Sequence, residues 1–278
     1  MSINGQETKG ATKRMEAIIL GSGTSTGVPP IGYEDPDFPF DDPKNNRMRA
    51  GFLLREVGKT PKTAQSIIID CGPDYRMQAL RHQINRLDAV LLTHTHFDHI
   101  GGLDDLRLYN FRQGHALPVY GKIETLLDVK LRYAYIFNPP NEGGGVASFD
   151  MYEVGEVPFT VADLRVVPLP IYHGSQRILG FRFGELAFIT DASRIEDSTF
   201  ELVAGCRVLV LNALRPQPHS THFNLEEAVE AARRVGAEQT YFIHMTHLLE
   251  HHSTNAKLPK GMELSYDGLR FEVDVELA

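Results

Sequence analysis

The segment Leu91-Leu92-Thr93-His94-Thr95-His96-Phe97-Asp98-His99 constrains this chain more than any other, because it sets three imidazoles and a carboxylate at the end of an apolar run. Polar groups at the end of a buried strand are costly unless they are used. In an extended segment His94 and His96 project to one side. Asp98 and His99 fall where the chain turns toward a helix, so they face a second point. One short run can therefore feed two metal ions. A lone His-x-His would say little; four groups at this spacing point to a metal centre.

The elements around that run alternate. An apolar strand Ala17–Leu20 enters the glycine-rich turn Gly21–Gly27, and a proline- and charge-rich surface loop, Pro29–Arg49, follows. Strands are predicted at Phe52–Arg55, Ser66–Asp70 and Ala89–Thr93, with a helix over about Tyr75–His82 giving a βαβ-like opening. A helix at about His99–Phe111, a strand Pro118–Tyr120 and a helix at about Ile123–Ile136 come next. The loop Asn138–Ser148, with Gly143, Gly144 and Gly145, is a candidate mobile cover over a site. The second half reads as strands Leu164–Leu169, Gly180–Phe183, Leu186–Ile189 and Arg207–Leu211, then a helix Leu225–Arg234 with Asn224 as its N-cap. A strand Thr240–Ile243 and an edge strand Leu269–Val275 complete the pattern. It suggests two sheets sandwiched between helices.

At 278 residues the chain is long enough for one large layered domain. Residues 1–15 are polar and expected to be disordered, and 16–278 to form a single domain. The net charge of −8 gives no broad footprint for a nucleic-acid backbone, so no long nucleic acid is expected as partner. Cys71 and Cys206 are the two cysteines and lack metal or disulfide spacing, which fits a reducing cytoplasmic setting. No apolar stretch reaches membrane-spanning length, and no signal segment is read at the N-terminus.

The His94–His99 run closely resembles the His-x-His-x-Asp-His motif of the metallo-β-lactamase superfamily, and the resemblance extends through the element order from about Glu16 to Leu249. It implies an α/β (α+β) fold, an αββα four-layer sandwich with the site at one edge. It also implies a third histidine, an aspartate and a final histidine, each after a strand; His173, Asp191 and His244 fit those places. On this resemblance His94, His96 and His173 serve one cation, Asp98, His99 and His244 the other, and Asp191 bridges. The donors are nitrogen and oxygen without sulfur, which suits two divalent ions, zinc or manganese, with iron also compatible. Asp70 matches the superfamily's strand-end aspartate and is expected to accept a ligand histidine's spare N–H. His247 is the competitor to His244 and otherwise joins the same supporting shell.

Three further segments resemble the cyclic-phosphate phosphodiesterases of that superfamily, the group containing phosphoribosyl 1,2-cyclic phosphate phosphodiesterase. The first is the opening loop Leu20–Pro29, whose backbone and Ser22, Thr24 and Ser25 are candidate anion contacts. The second is Asp70-Cys71-Gly72-Pro73-Asp74. The third is Pro218–Ala228, which resembles the same segment of tRNA 3′-processing endonucleases as well; there His222 is the candidate general acid just before a helix and His219 its runner-up, both are also candidate substrate contacts, and Asp98 is a second catalytic candidate. Unlike many members of that group, Ile31–Phe38 has no cysteine, so no additional structural zinc is expected. tRNA 3′-processing relatives carry a long arm between the third histidine and the aspartate, for which His173 to Asp191 leaves no room. Arg47, Arg49, Arg76 and Arg215 are candidate phosphate-facing charges.

These readings give a dinuclear metal-dependent phosphodiesterase acting on a small phosphorylated substrate, a cyclic nucleotide or ribose cyclic phosphate. The alternatives are a thioester or lactone hydrolase of the same fold and a non-catalytic nucleotide-binding protein. A homodimer is compatible with this reading.

Overall fold

Alternation along the strands decides the layering. In Ser66–Ile69, Ile67 and Ile69 face a core between two sheets, while Ile68 faces a second core under helices. In Leu186–Ile189, Leu186 and Phe188 face that same inter-sheet core, while Ala187 and Ile189 face a third core under other helices. A strand buried on both faces reads as a continuous apolar run, which is why these segments lack polar alternation.

The computed structural model describes residues 11–139 and 145–278. The strands are β1 (Thr12–Gly21), β2 (Gly51–Glu56), β3 (Ser66–Ile69), β4 (Ala89–Leu91), β5 (Leu117–Gly121), β6 (Phe149–Glu153), β7 (Phe159–Val161), β8 (Leu164–His173), β9 (Gln176–Phe183), β10 (Leu186–Ile189), β11 (Arg194–Ile195), β12 (Val208–Asn212), β13 (Gln239–Ile243), β14 (Met262–Leu264) and β15 (Arg270–Glu276). The helices are α1 (Tyr75–Arg81), α2 (Phe97–Ile100), α3 (Arg107–Gln113), α4 (Ile123–Arg132), α5 (Ala134–Phe137), α6 (Asp197–Val203), α7 (Leu225–Val235) and α8 (His251–Asn255).

One sheet runs β15-β1-β2-β3-β4-β5-β6 and the other β11-β8-β9-β10-β12-β13-β14, with β7 paired to β8. Phe52 and Phe188 meet across the inter-sheet core with ring centroids 4.9 Å apart. Helices α1, α3 and α4 cover the outer face of the first sheet, and α6 and α7 that of the second. The result is the αββα order. Strands β3 to β6 are parallel, as are β10, β12, β13 and β14. Their C-terminal ends are where open sheets of this kind bind ligands.

Several sequence expectations need correction. Ordered strand begins at Thr12, not Glu16, because Thr12 to Ile18 pair with Glu276 to Arg270 of β15, and Met15 is fully buried. Nothing apolar in Thr12-Lys13-Arg14 signals this; the partner strand supplies the reason. Residues 1–10 lie outside the described residues, as do 140–144 of the glycine loop. The helix expected over His99–Phe111 is three short segments, α2, a 3-10 turn at Leu103–Leu106, and α3. Gly101 and Gly102 break it where the chain passes Gly72: a Cβ on Gly102 would lie 2.2 Å from the Gly72 carbonyl oxygen. The helix over Ile123–Ile136 is interrupted at Tyr133, and β8 continues four residues further, to His173. Strands β6, β7 and β14 and helices α6 and α8 were not legible in the pattern. α7 carries a full capping box, with Asn224 and Glu227 each bonded to the other's backbone N–H, and ends at Gly236 with φ 70°.

Candidate metal centre

Three non-glycine residues at the ends of parallel strands adopt the left-handed backbone region: Asp70 after β3 (φ 63°), Asp191 after β10 (φ 58°) and His244 after β13 (φ 58°). Each such residue costs about 1–3 kcal/mol and persists only where its surroundings hold it. The surroundings do so. Asp70 N donates to Leu91 O at 2.8 Å. Beside Asp191, the buried Asn212 amide grips Ala192 through both its N–H and its carbonyl, at 2.7 and 3.0 Å. After His244, Met245 N donates to Ser22 O at 3.0 Å.

The turns bring the predicted ligands together. One donor atom from each of His94, His96, His173 and Asp191 lies within 4.8 Å of the others, and the same holds for Asp98, His99 and His244. Asp191 adjoins both groups: its Oδ2 is 3.4 Å from His99 Nε2 and its Oδ1 is 3.4 Å from His244 Nε2. Asp98 Oδ2 is 3.2 Å from His99 Nε2 and 3.3 Å from His244 Nε2. The Nε2 atoms of His94 and His99 are buried without a hydrogen-bond partner. A buried, unpaired imidazole nitrogen is unfavourable; two of them aimed beside the carboxylates of Asp98 and Asp191 fit a bound cation.

Supporting groups fix which nitrogen faces inward. Asp70 Oδ2 lies 2.6 Å from His99 Nδ1 and accepts the Thr93 hydroxyl at 2.8 Å, and that hydroxyl lies 3.0 Å from His94 Nδ1. His173 Nδ1 lies 3.0 Å from Asp191 O and 2.8 Å from Thr221 O. A histidine held at Nδ1 presents Nε2 to a metal. Thr93 and Thr221 were missed at the sequence level; Thr93 stood in the motif, but Thr221 becomes relevant only through the fold.

The charges are mutually perturbed. Burial alone would lower the His99 pKa, but Asp191, Asp70 and Asp98 raise it well above the usual imidazole value. Burial opposes ionisation of Asp98 and Asp191, yet the facing histidines hold both carboxyls low. Burial, with His99 as the next cause, pushes His94 well down. The pocket thus concentrates negative charge and draws positive charge to its centre.

His222 stands at the edge of this cluster. Its Nε2 is 3.3 Å from Asp191 Oδ2, its Nδ1 is 3.0 Å from the Thr221 hydroxyl, and its ring stacks on His244 at 5.0 Å. Burial lowers its pKa to about 4, against the pull of Asp191. Asp191 accepts, so the neutral ring donates from Nε2–H and accepts from Thr221 at Nδ1. Asp191, His222 and His244 are themselves close enough to form a third ligand set. His219 lies behind, with Nδ1 3.2 Å from His222 Nδ1. His96 is exposed and opens the site to solvent.

Other expectations change. Ser22 is fully buried and gives its hydroxyl to Asp267 at 2.8 Å, so it holds the opening loop and does not face a ligand. Thr24 is buried and its N–H donates to Met245 O. Of the three proposed contacts in that loop only Ser25 is exposed. His247 packs its ring on Tyr33, centroids 4.2 Å apart, and has no hydrogen bond to a ligand candidate among the described residues. Arg49 pairs with Asp74, Arg215 donates to the carbonyls of Gln217 and Pro218, and Arg47 is buried under the loop after His244. Arg76 lies at the surface beside the sulfur of Met77. Arg47 and Arg49 are thus engaged by the protein itself, while Arg76 stays exposed and Arg215 half-buried.

The two sheets and the histidines and aspartates gathered at their strand ends fit a metal-dependent hydrolase, and residues 65–245 match the family model described as β-lactamase superfamily domain. The chain belongs to the metallo-β-lactamase superfamily, a class of metal-dependent hydrolases. It is similar to a solved structure described as a new diphosphatase from the PhnP family, with TM-score 0.87 and 37% identity over 96% of this chain and all of that one. It is 40% identical over 264 residues to a Porphyromonas gingivalis protein named octanoyltransferase, covering 94% of this chain but 52% of that protein, so it spans about half that relative's length. It is 28% identical over 242 residues to a ribonuclease Z of Methanopyrus kandleri, covering 73% of this chain and 83% of that protein. No helix among the described residues is long and apolar enough to cross a membrane.

Proposed function

We propose that this chain is a dinuclear metal-dependent phosphodiesterase acting on a small phosphodiester, a cyclic nucleotide or ribose cyclic phosphate. The observation that carries the reading is the pair of ligand groups joined at Asp191, with His222 Nε2 at their edge. His94, His96 and His173 would hold one zinc or manganese ion and Asp98, His99 and His244 the other, with Asp191 adjoining both groups. Two such ions supply Lewis acidity and activated water to a phosphoryl group.

The protein's own groups do the rest. Asp70, through His99 and Thr93, keeps imidazole nitrogens aimed inward. The Thr221 hydroxyl orients His222. After taking up a proton released by the attacking water, the ring would give its Nε2 proton to the departing oxygen as the new O–P bond forms and the old P–O bond breaks, and so return to its neutral form. Exposed His96 marks the open side, where a nucleotide-sized ligand would enter. The chain carries net charge −8, and β9 and β10 fill the stretch between His173 and Asp191; both features favour a small substrate over folded RNA. Similarity to a PhnP-family diphosphatase supports phosphoryl chemistry.

The test is reconstitution with manganese or zinc and assay on bis-p-nitrophenyl phosphate and 2′,3′-cyclic nucleotides. No turnover on either at full metal occupancy would overturn the reading. The relative named octanoyltransferase gives one specific reason for a second reading, hydrolysis of an acyl ester or thioester. This chain leaves about half of that protein unmatched, so the named activity can reside in the other half. Turnover of octanoyl thioesters that survives His222→Ala would favour this second reading.

A further inference from the structure

The loop after His244 is tied to the rest of the protein by one buried guanidinium. Arg47 Nη1 donates to Thr246 O at 2.9 Å and Nη2 donates to Leu249 O at 2.7 Å, across about 200 residues of chain. Its side chain is buried, its Nε has no partner among the described residues, and no carboxylate pairs with it there. A buried cation spent on two carbonyls of a single turn is an expensive way to hold a surface loop. Its backbone is fixed as well: Arg47 and Val28 exchange both N–H···O bonds at 2.8 Å, which anchors the guanidinium to the opening loop.

The turn held in this way is the one that sets His244. His244 has φ 58°, and the residues after it are laced outward: Met245 N to Ser22 O, Thr24 N to Met245 O and Thr246 N to Leu214 O. Those bonds fix Met245 and the N–H of Thr246. The carbonyls of Thr246 and Leu249 are left to Arg47 and to the Leu249 N–H, which reaches Thr246 O at 3.4 Å. The arginine thereby closes the turn whose first residue points at Asp98 and Asp191. A planar fork presents two nitrogens at a fixed separation, one to each carbonyl; an ammonium has three donors but on a single atom, so it cannot hold the two carbonyls at that same separation.

We infer that Arg47 is a positioning residue for the metal centre: its fork sets the His244 turn and so tunes the group formed by Asp98, His99 and His244. The inference rests on the reading of His244 as a metal ligand. It assigns Arg47 no contact with substrate. The other group, with His94, His96 and His173, is supported through Thr93 and Thr221 and stands apart from this fork.

The experiment is metal binding by Arg47→Lys and Arg47→Gln, read by chelator competition with zinc and by the visible spectrum on cobalt(II) addition. Wild type is expected to take two equivalents. In Arg47→Lys the first equivalent should bind as in wild type, while the second weakens about 10- to 100-fold, the range seen when supporting partners of metal ligands are lost. The cobalt absorption of the second equivalent should shift, and Arg47→Lys should recover no more than a small part of what Arg47→Gln loses. Two equivalents with unchanged affinities and spectra in folded Arg47→Lys would overturn the inference alone. A single equivalent in wild type would overturn the two-cation reading and this inference with it. Should neither variant fold, arginine side-chain NMR of the wild type decides: the Arg47 Nη signals should move with the second zinc equivalent and not the first, and no response to either would overturn it.

Discussion

His99 Nδ1 lies 2.6 Å from Asp70 Oδ2, with both side chains buried, and this contact ties the end of β3 to the turn that carries Asp98 and His99. Asp70→Asn keeps a residue that tolerates φ 63° but replaces one accepting oxygen with an N–H donor. Metal affinity should fall about 10- to 100-fold. Chelator competition measures it; an unchanged dissociation constant would remove Asp70 from any role at the centre.

His222 and His219 should separate by leaving group. A p-nitrophenolate departs without much help, whereas a ribose alkoxide needs a proton. His222→Asn is expected to lower kcat about 10²- to 10⁴-fold on a 2′,3′-cyclic nucleotide and much less on bis-p-nitrophenyl phosphate. His219→Asn, one step behind, should cost less than about tenfold on either substrate. Equal losses on both esters in the His222 variant would assign that residue to binding or metal ligation instead of proton transfer.

Gly72 is fixed by contact rather than by its backbone angle. A Cβ there would sit 2.1 Å from the Asp98 carbonyl oxygen, and Cys71 N already donates to His99 O at 2.7 Å. Gly72→Ala must push the Asp98–His99 turn away from β3. A loss of roughly 1–3 kcal/mol is expected in urea denaturation of the metal-free protein. A variant with the wild-type midpoint would show that this turn moves freely.

His82 gives the metal-free protein an acid limit. Burial lowers its pKa to about 4, reinforced by Arg270 of β15, by Arg81 and by Arg55 of β2, against Glu16 of β1. The folded pKa lies below the unfolded value near 6.5, so the unfolded chain binds more protons between the two. The corresponding stability is present above about pH 6.5 and is lost as pH falls toward 4, on the order of 1–2 kcal/mol after allowance for solvent screening. Thermal melts from pH 7.5 to 4.5 should show this slope, and His82→Asn should flatten it. Parallel slopes in the two proteins would place the acid sensitivity elsewhere.

The sequence by itself determined which donor groups gather at the candidate centre and much of the strand order. The His94–His99 run is local, and the apolar strands before His173, Asp191 and His244 are visible wherever both faces are buried. Asp70 too could be read as a strand-end acceptor. What the tertiary structure decided depends on partners distant in sequence. Thr12–Met15 become strand because β15 lies alongside. Ser22 turns inward because Asp267 waits there. Arg47 turns to the carbonyls of Thr246 and Leu249 because folding brings that turn within reach of its buried fork. Spacing along a strand fixes which side chains share a face, whereas the choice between ligand, support and solvent is made by groups that only folding brings within hydrogen-bond reach.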